Sequence, residues 1–305
     1  MISKNKIISW IKLMRLEFYS MPFVVYSLGA LISYKFNGDF LSINYILGYL
    51  IIFLIELLTV FTNEYYDFET DKLNKNPTRF TGGSRMLVEN KISIKELKTA
   101  LLFVLLFLLI LSGYLLKITF FSYQVSFLLV IGIIFGVSYT TPPLKFSYRG
   151  VGELDVAFIH GFYVILCGYV FQKGILDATI IWVIAIPIFF SSLVGVSLAG
   201  ITDIDSDIFV SKKSIVVLLG PKNTLILSTA CSLITGIFGI YLYYVFSSWQ
   251  LNFLYLLLPL YSIYLSYNFL SKMRIKNYEI GISKMIIRSM ILIALSSFIP
   301  LIIFI

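Results

Sequence analysis

The sequence predicts an all-α polytopic membrane protein: nine transmembrane helices in a single domain over residues 1–305, with the N-terminus in the cytoplasm. Three observations lead there. The first is composition: 59% of the 305 residues are hydrophobic and 13% charged, with a mean hydropathy of +0.92, whereas a soluble chain carries about a quarter charged residues. The second is the recurrence of apolar runs long enough to cross hydrocarbon, which takes ~20 helical residues. The third is the uneven placement of Lys and Arg between alternate connections, the signal that orients membrane helices.

The runs lie at roughly 18–36, 43–64, 96–116, 120–140, 152–172, 177–199, 223–246, 250–270 and 285–305, each near the crossing length. With the N-terminus inside, every Lys and Arg except Lys35, Lys117 and Lys173 falls on an inner segment. Adding or deleting one span scrambles that alternation. The formal net charge of +8 therefore reads as membrane orientation, and no nucleic-acid partner is expected. The N-terminal Lys4, Lys6 and Lys12 precede an apolar run that starts only near Phe18, with no small-residue cleavage pattern after it, so no removable signal peptide is expected. Cys167 and Cys231 sit inside apolar runs without a CxxC or Cys/His cluster and read as small buried residues.

Polar chemistry collects on the inner connections. The run Asn63-Glu64-Tyr65-Tyr66-Asp67-Phe68-Glu69-Thr70-Asp71 follows the second span directly. Asn63, Asp67 and Asp71 are spaced i, i+4, i+8, one above another on a single face if the helix continues. Carboxylates so crowded repel unless a cation neutralises them, and oxygen donors suit magnesium, which binds through one or two carboxylates plus substrate phosphates. A second cluster, Asp203-Ile204-Asp205-Ser206-Asp207, follows the sixth span, again with an i, i+4 pair and with Lys212, Lys213 and Ser214 close behind. Solvated loop acids are the bland alternative for either cluster alone. Two helically spaced clusters on one side of the membrane favour a pair of carboxylate sets holding magnesium and a diphosphate, with nearby Lys and Arg neutralising the remaining charge. A calcium loop fits worse, since the glycine and terminal glutamate of an EF-hand are missing.

A departing diphosphate attached to an allylic lipid chain leaves a carbocation, which needs a dry pocket with electron-rich faces. The 21 Tyr, 27 Phe and 3 Trp can supply these faces, although aromatic residues are also ordinary interface anchors. Taken together, the motifs resemble the UbiA-type intramembrane prenyltransferases. The pattern N-D-x-x-D-x-x-x-D appears as Asn63-Glu64-x-x-Asp67-x-x-x-Asp71, and D-x-x-x-D as Asp203-x-x-x-Asp207, continued by Lys213-Ser214 and Gly220. Between them, Tyr139 to Lys145 and Tyr148 to Glu153 resemble the family loop after the fourth helix.

The resemblance implies a helical bundle around a central cavity, opening laterally to the lipid bilayer. It implies a polyprenyl diphosphate donor, Mg2+ between the acidic motifs, and an aromatic small-molecule acceptor of quinone biosynthesis. Carried over by position, Asn63, Glu64, Asp67, Asp71, Asp203 and Asp207 would bind metal and diphosphate. Arg15, Arg79, Arg85, Tyr139, Lys145, Arg149, Lys212 and Lys213 would contact substrate or shape its loops. Glu64 departs from the family aspartate. Thr81-Gly82-Gly83-Ser84-Arg85 resembles the 1,4-dihydroxy-2-naphthoate branch, while Asp203-x-Asp205-x-Asp207 followed by Lys213-Ser214 is closer to the 4-hydroxybenzoate branch. The same fold acting on an ether lipid, a carotenoid or a ribose phosphate, or cyclising its own donor, is the alternative. A transporter is disfavoured, because transporters bury their acids at the bilayer midplane.

Further residues carry two readings each. Glu56 lies inside the second span on roughly the face of Asn63, as a functional carboxylate or one hydrogen-bonded to a neighbouring helix. Asp155 reads as favourable charge at a helix N-terminus, and Glu153 as a partner for a basic loop residue. His160 reads as a helix-packing hydrogen bond before a catalytic base. Tyr65 and Tyr66 either line the cation pocket or mark the interface.

Overall fold

The structure, a computed structural model, describes residues 4–74, 82–273 and 281–305. Among these, the regular structure is helical throughout: α1 (Lys4–Met14), α2 (Ser20–Asn37), α3 (Ser42–Tyr66), α4 (Phe68–Leu73), α5 (Ile94–Ile118), α6 (Tyr123–Ser138), α7 (Gly152–Phe158), α8 (Val164–Lys173), α9 (Ile180–Gly200), α10 (Ile204–Phe209), α11 (Ile215–Val245), α12 (Leu257–Lys272) and α13 (Ile282–Phe304). A π-helical turn, Ile159–Tyr163, joins α7 to α8 in one continuous rod.

Each of the nine apolar runs falls on a helix, but they differ in their capacity to span. Among the described residues, seven helices are long and apolar enough to cross a membrane, or eight if α1 and α2, bent by 51°, count as one crossing. The run at 120–140 folds as only 16 helical residues, about 24 Å at 1.5 Å per residue against a hydrocarbon core of about 30 Å. The bend before α2 has a local cause: Arg15 adopts left-handed geometry (φ 51°, ψ 49°) and a short 3-10 turn, Leu16–Phe18, follows. Likewise α11 begins before its predicted start and breaks at Gly220 (φ 77°, ψ 159°), with Pro221 opening the longer segment, a position where a missing N–H costs nothing.

Packing follows membrane rules. Gly29 of α2 and Gly168 of α8 let the two backbones touch: a Cβ on Gly29 would overlap the carbonyl oxygen of Ile165, and one on Gly168 that of Tyr26. Small residues permit such approach where lipid offers no hydrophobic drive to associate. Several hydroxyls within the spans donate back along their own helices, as Thr59 to Ile55 (2.9 Å), Thr62 to Leu58 (3.0 Å) and Thr235 to Cys231 (3.0 Å), so these groups make no polar demand on the lipid. Both cysteines are free and buried.

A large core joins α2, α3, α8, α9, α11, α12 and α13, while a smaller one holds Leu13 of α1 against Leu57, Phe61, Met86, Leu87, Ile92 and Leu97. The second core fixes the approach to α5. A Ser93–Glu96 capping box starts that helix, and Lys6 of α1 pairs with Glu96 at 2.7 Å. The segment carrying Gly82 to Arg85 is thereby held against the end of α3.

Candidate active site

Both acidic segments end a long helix with a break that turns their side chains into one cavity. Asp67 leaves helical geometry (φ −91°, ψ 5°) between α3 and α4. Even so, the hydrogen bonds Asp67 N–H to Asn63 C=O and Asp71 N–H to Asp67 C=O (both 2.8 Å) preserve the i, i+4, i+8 stacking. At the other segment, the 3-10 turn Ile201–Asp203 separates α9 from α10. The cavity, about 150 Å3, is lined by Arg15, Asn63, Glu64, Asp67, Thr70, Asp71, Asn74, Gly82, Gly83, Tyr139, Asp203, Ser206, Asp207 and Lys212.

Lys212 joins the two segments: its Nζ lies 3.8 Å from Asp67 Oδ2 and 3.8 Å from Asp207 Oδ1. Burial pulls the ammonium toward deprotonation, but the fields of Asp67 and Asp207 outweigh it and hold the lysine charged, its pKa above the ordinary value. Asn74 Nδ2 donates to Asp203 Oδ1 (3.2 Å), so the segment after α4 also reaches the second cluster. The remaining acids are individually aimed. Tyr148 O–H donates to Asp67 Oδ1 (2.8 Å), Ser214 O–H to Asp207 Oδ2 (2.7 Å), and Thr140 O–H to Asn63 Oδ1 (2.8 Å). Burial, then the charge of Asp67, pushes the Tyr148 phenol up to about 12, so it remains a donor.

Asp71 is set beneath Gly83, whose missing Cβ would overlap Oδ2 of the carboxylate; Gly83 also sits at φ 66°, a region that favours glycine. Arg85 donates to the backbone carbonyl of Asp71. Burial, reinforced by Glu64 and Asp67, raises the Asp71 carboxyl to about 8. Carboxylates that repel in this way favour a compensating cation.

The donor set fits magnesium. Five carboxylates and two basic side chains line the cavity, the donors are oxygen atoms, and hard cations prefer these. Among the described residues no three acids converge tightly enough to hold an ion unaided, as expected where substrate phosphates complete the coordination.

A second cavity of about 320 Å3 adjoins the first and shares Arg15, Asn63 and Tyr139 with it. Its wall is mainly apolar, including Phe18, Ile52, Ile55, Val60, Ile159 and Tyr163. Two acids, Glu56 and Asp155, and the imidazole of His160 interrupt that wall away from the shared residues.

The structure separates the sequence candidates. Arg15, Asn63, Glu64, Asp67, Asp71, Tyr139, Asp203, Asp207 and Lys212 line the polar cavity. Lys213, Arg149, Arg85 and Lys145 do not. Lys213 is exposed, because in this non-helical stretch neighbours face opposite ways, Lys212 and Ser214 turning toward Asp207. Arg149 is exposed and donates to the Pro143 carbonyl (2.6 Å), while the Lys145 ammonium stacks 4.7 Å from the centre of the Tyr148 ring. Arg79 lies outside the described residues.

Both oxygens of Glu64 are engaged by Ser84, by its N–H at 2.6 Å and its hydroxyl at 2.8 Å, so this side chain anchors the glycine loop. Glu153 forms no salt bridge with a basic residue among the described residues; it accepts from the Ile215 N–H at 2.7 Å and caps α11. Asp155 does not face solvent at a helix end but is buried in the apolar wall. His160 bonds its own helix, at the Val156 carbonyl (2.9 Å), and Tyr65 and Tyr66 line neither cavity. Asn74, Thr140 and Ser206 had no signal in the sequence beyond their proximity to the motifs.

Residues 22–280 match the model of the UbiA prenyltransferase family. The chain belongs to that family. No curated protein matches it by sequence. Solved structures share the fold at low identity. A structure of digeranylgeranylglyceryl phosphate synthase superposes with a TM-score of 0.70 at 20% identity, covering 98% of this chain and 98% of that one. The apo UbiA homologue from Aeropyrum pernix K1 gives 0.69 at 16% identity, over 94% of this chain and 98% of that one. The UbiA homologue from Archaeoglobus fulgidus bound to DMAPP and Mg2+ gives 0.63 at 19%, over 95% and 99%.

Proposed function

We propose that the protein transfers a polyprenyl group from a polyprenyl diphosphate to a small acceptor, with Mg2+, in a multi-pass arrangement in the cell membrane whose acidic cavity faces the cytoplasm. One observation carries this reading: a single cavity gathers both acidic segments and continues into an apolar chamber through Arg15, Asn63 and Tyr139. Its polar end suits a metal-bound diphosphate, and its apolar end a lipid chain with an acceptor beside it. The Mg2+–prenyl diphosphate complex of the Archaeoglobus fulgidus homologue supports the same assignment.

Asn63, Asp67 and Asp71 from one segment and Asp203 and Asp207 from the other would hold the metal. When bound, it neutralises charge on the departing diphosphate. Lys212 and Arg15 add positive charge at the same place, while Tyr148, Ser214, Thr140 and Asn74 keep the ligands aimed. Beneath them, Phe18, Tyr139 and Tyr163 offer aromatic faces to an allylic cation in a chamber that excludes water.

The motif comparison points to an aromatic acceptor of the 1,4-dihydroxy-2-naphthoate or 4-hydroxybenzoate type, hence to quinone biosynthesis. The acids in the chamber and the likeness to a glyceryl-lipid synthase favour a second reading, an acceptor that reacts as an alcohol. Incubating the purified protein with labelled geranyl diphosphate, Mg2+ and a panel of both acceptor types tests the reaction. Acceptor-dependent product that stops in excess EDTA is expected. Undiminished turnover in EDTA contradicts the proposal, and product from the donor alone indicates cyclisation.

A further inference from the structure

The apolar chamber carries more hydrogen-bond acceptors than a lipid chain needs. Asp155 is 7% exposed and lines the chamber with an Oδ1 that has no hydrogen-bond partner among the described residues. It lies in the first turn of α7, where the positive end of the helix favours a carboxylate. Glu56 enters the same chamber from α3. His160 sits in the π-helical turn, a distortion common at functional sites. Its Nδ1 faces the Val156 carbonyl at 2.9 Å, and since a carbonyl only accepts, Nδ1 carries the proton and Nε2 of the neutral ring is left as an acceptor. A buried polar atom without a partner is costly, so Asp155 Oδ1, with Glu56 and the His160 ring beside it in the same chamber, calls for a ligand that donates.

Resting on the prenyl-transfer reading, we propose that Glu56, Asp155 and His160 form the acceptor subsite and select a hydroxyl-bearing acceptor, an alcohol or a phenol, against one that carries a carboxylate beside the reacting centre. A hydroxyl satisfies these acceptors. A carboxylate brings an unpaired negative charge into a low-dielectric space, and its one basic lining residue, Arg15, is shared with the diphosphate pocket. Glu56 and Asp155 are thus specificity-determining residues for the acceptor.

The test is calorimetric binding to purified protein preloaded with Mg2+ and unreactive geranyl thiolodiphosphate. The acceptors are 1,4-dihydroxynaphthalene, a monoalkyl glycerol ether and 1,4-dihydroxy-2-naphthoate. Burial of an unpaired carboxylate predicts that the better of the two uncharged hydroxyl compounds binds on the order of tenfold or more tighter than the naphthoate; which of the two it is separates phenol from alcohol. Glu56→Gln and Asp155→Asn should narrow that ratio by improving naphthoate binding, a gain that loss of a structural contact does not produce. Naphthoate binding as tight as the better hydroxyl compound, binding by neither hydroxyl compound, or a ratio unchanged in both variants overturns the subsite; the wild-type ratio decides even if a variant fails to fold. Failure of the thiolodiphosphate itself to bind refutes the prenyl-transfer reading instead, before any acceptor is added.

Discussion

The two cavities share three residues but are built on opposite principles. In the polar one, most side chains already have partners: Lys212 between Asp67 and Asp207, Tyr148 on Asp67, Ser214 on Asp207, Asn74 on Asp203 and Ser84 on Glu64. In the apolar one, Asp155 Oδ1 has no partner among the described residues. A crowded, partnered acid cluster is poised to exchange internal contacts for a metal-bound anion. A sparse chamber with an unmet acceptor at Asp155 suits, on the proposed reading, a ligand that brings its own proton. The difference teaches that charge density alone does not distinguish the two proposed substrate pockets; satisfaction of hydrogen bonds separates them.

The contrast can be broken by substitutions confined to one side. Asp67→Asn or Asp203→Asn should lower turnover by about 100- to 1000-fold, the scale for removing a preorganised electrostatic contact, while the variants still purify as folded membrane protein. Lys212→Met comes next. It leaves Asp67 and Asp207 facing each other without their shared cation, and kcat/KM should fall by roughly 10- to 100-fold, in line with breaking a buried charge-assisted contact, with a higher Mg2+ requirement. Gly83→Ala forces Asp71 to move and places alanine at φ 66°; the KM for diphosphate substrate should rise by on the order of tenfold, the scale of 1–3 kcal/mol for strained backbone positions.

The pH dependence follows from Asp71. Its carboxyl is raised above its ordinary value to about 8 in the metal-free protein, so it carries a proton at neutral pH, and metal binding must displace that proton. Apparent Mg2+ affinity should therefore increase as pH rises from 7 through 8 and level off above it, as followed by calorimetry in buffers of different ionisation heat. Tyr148→Phe is the smallest expected effect. It removes one hydrogen bond to Asp67, worth about 0.5–1.5 kcal/mol, and should cost a few-fold in kcat/KM.

What the sequence disclosed, and what it concealed, follows the range of each interaction. Apolar runs and i, i+4 acids are local patterns, so the helices and the face of Asn63, Asp67 and Asp71 were legible. Among the described residues seven helices qualify as spans by length and composition, and the other two runs differ because an apolar run does not reveal where a helix stops or bends: Tyr123–Ser138 is short and Arg15 bends the first crossing. Tertiary contacts were not legible. Nothing local says that Ser84 closes on Glu64, that Asn74 reaches Asp203, or that Glu153 caps α11 rather than holding a base. Asp155 was read by the rule for helix ends, which is sound for its backbone position and silent about the neighbouring helices that bury it. Lys212 and Lys213 are adjacent and chemically alike, and only the direction of the chain after α10 chooses between them.

The central claim is that two acidic segments far apart in the chain act as one metal–diphosphate site. A double-mutant cycle of Asp67→Asn and Asp203→Asn, read as the Mg2+-dependent affinity for geranyl thiolodiphosphate, tests it most directly. Groups that act as a unit lose their function together, so the double variant should bind about as weakly as the worse single one. Losses that simply add, or a Mg2+-dependent affinity untouched by either change, would contradict the account.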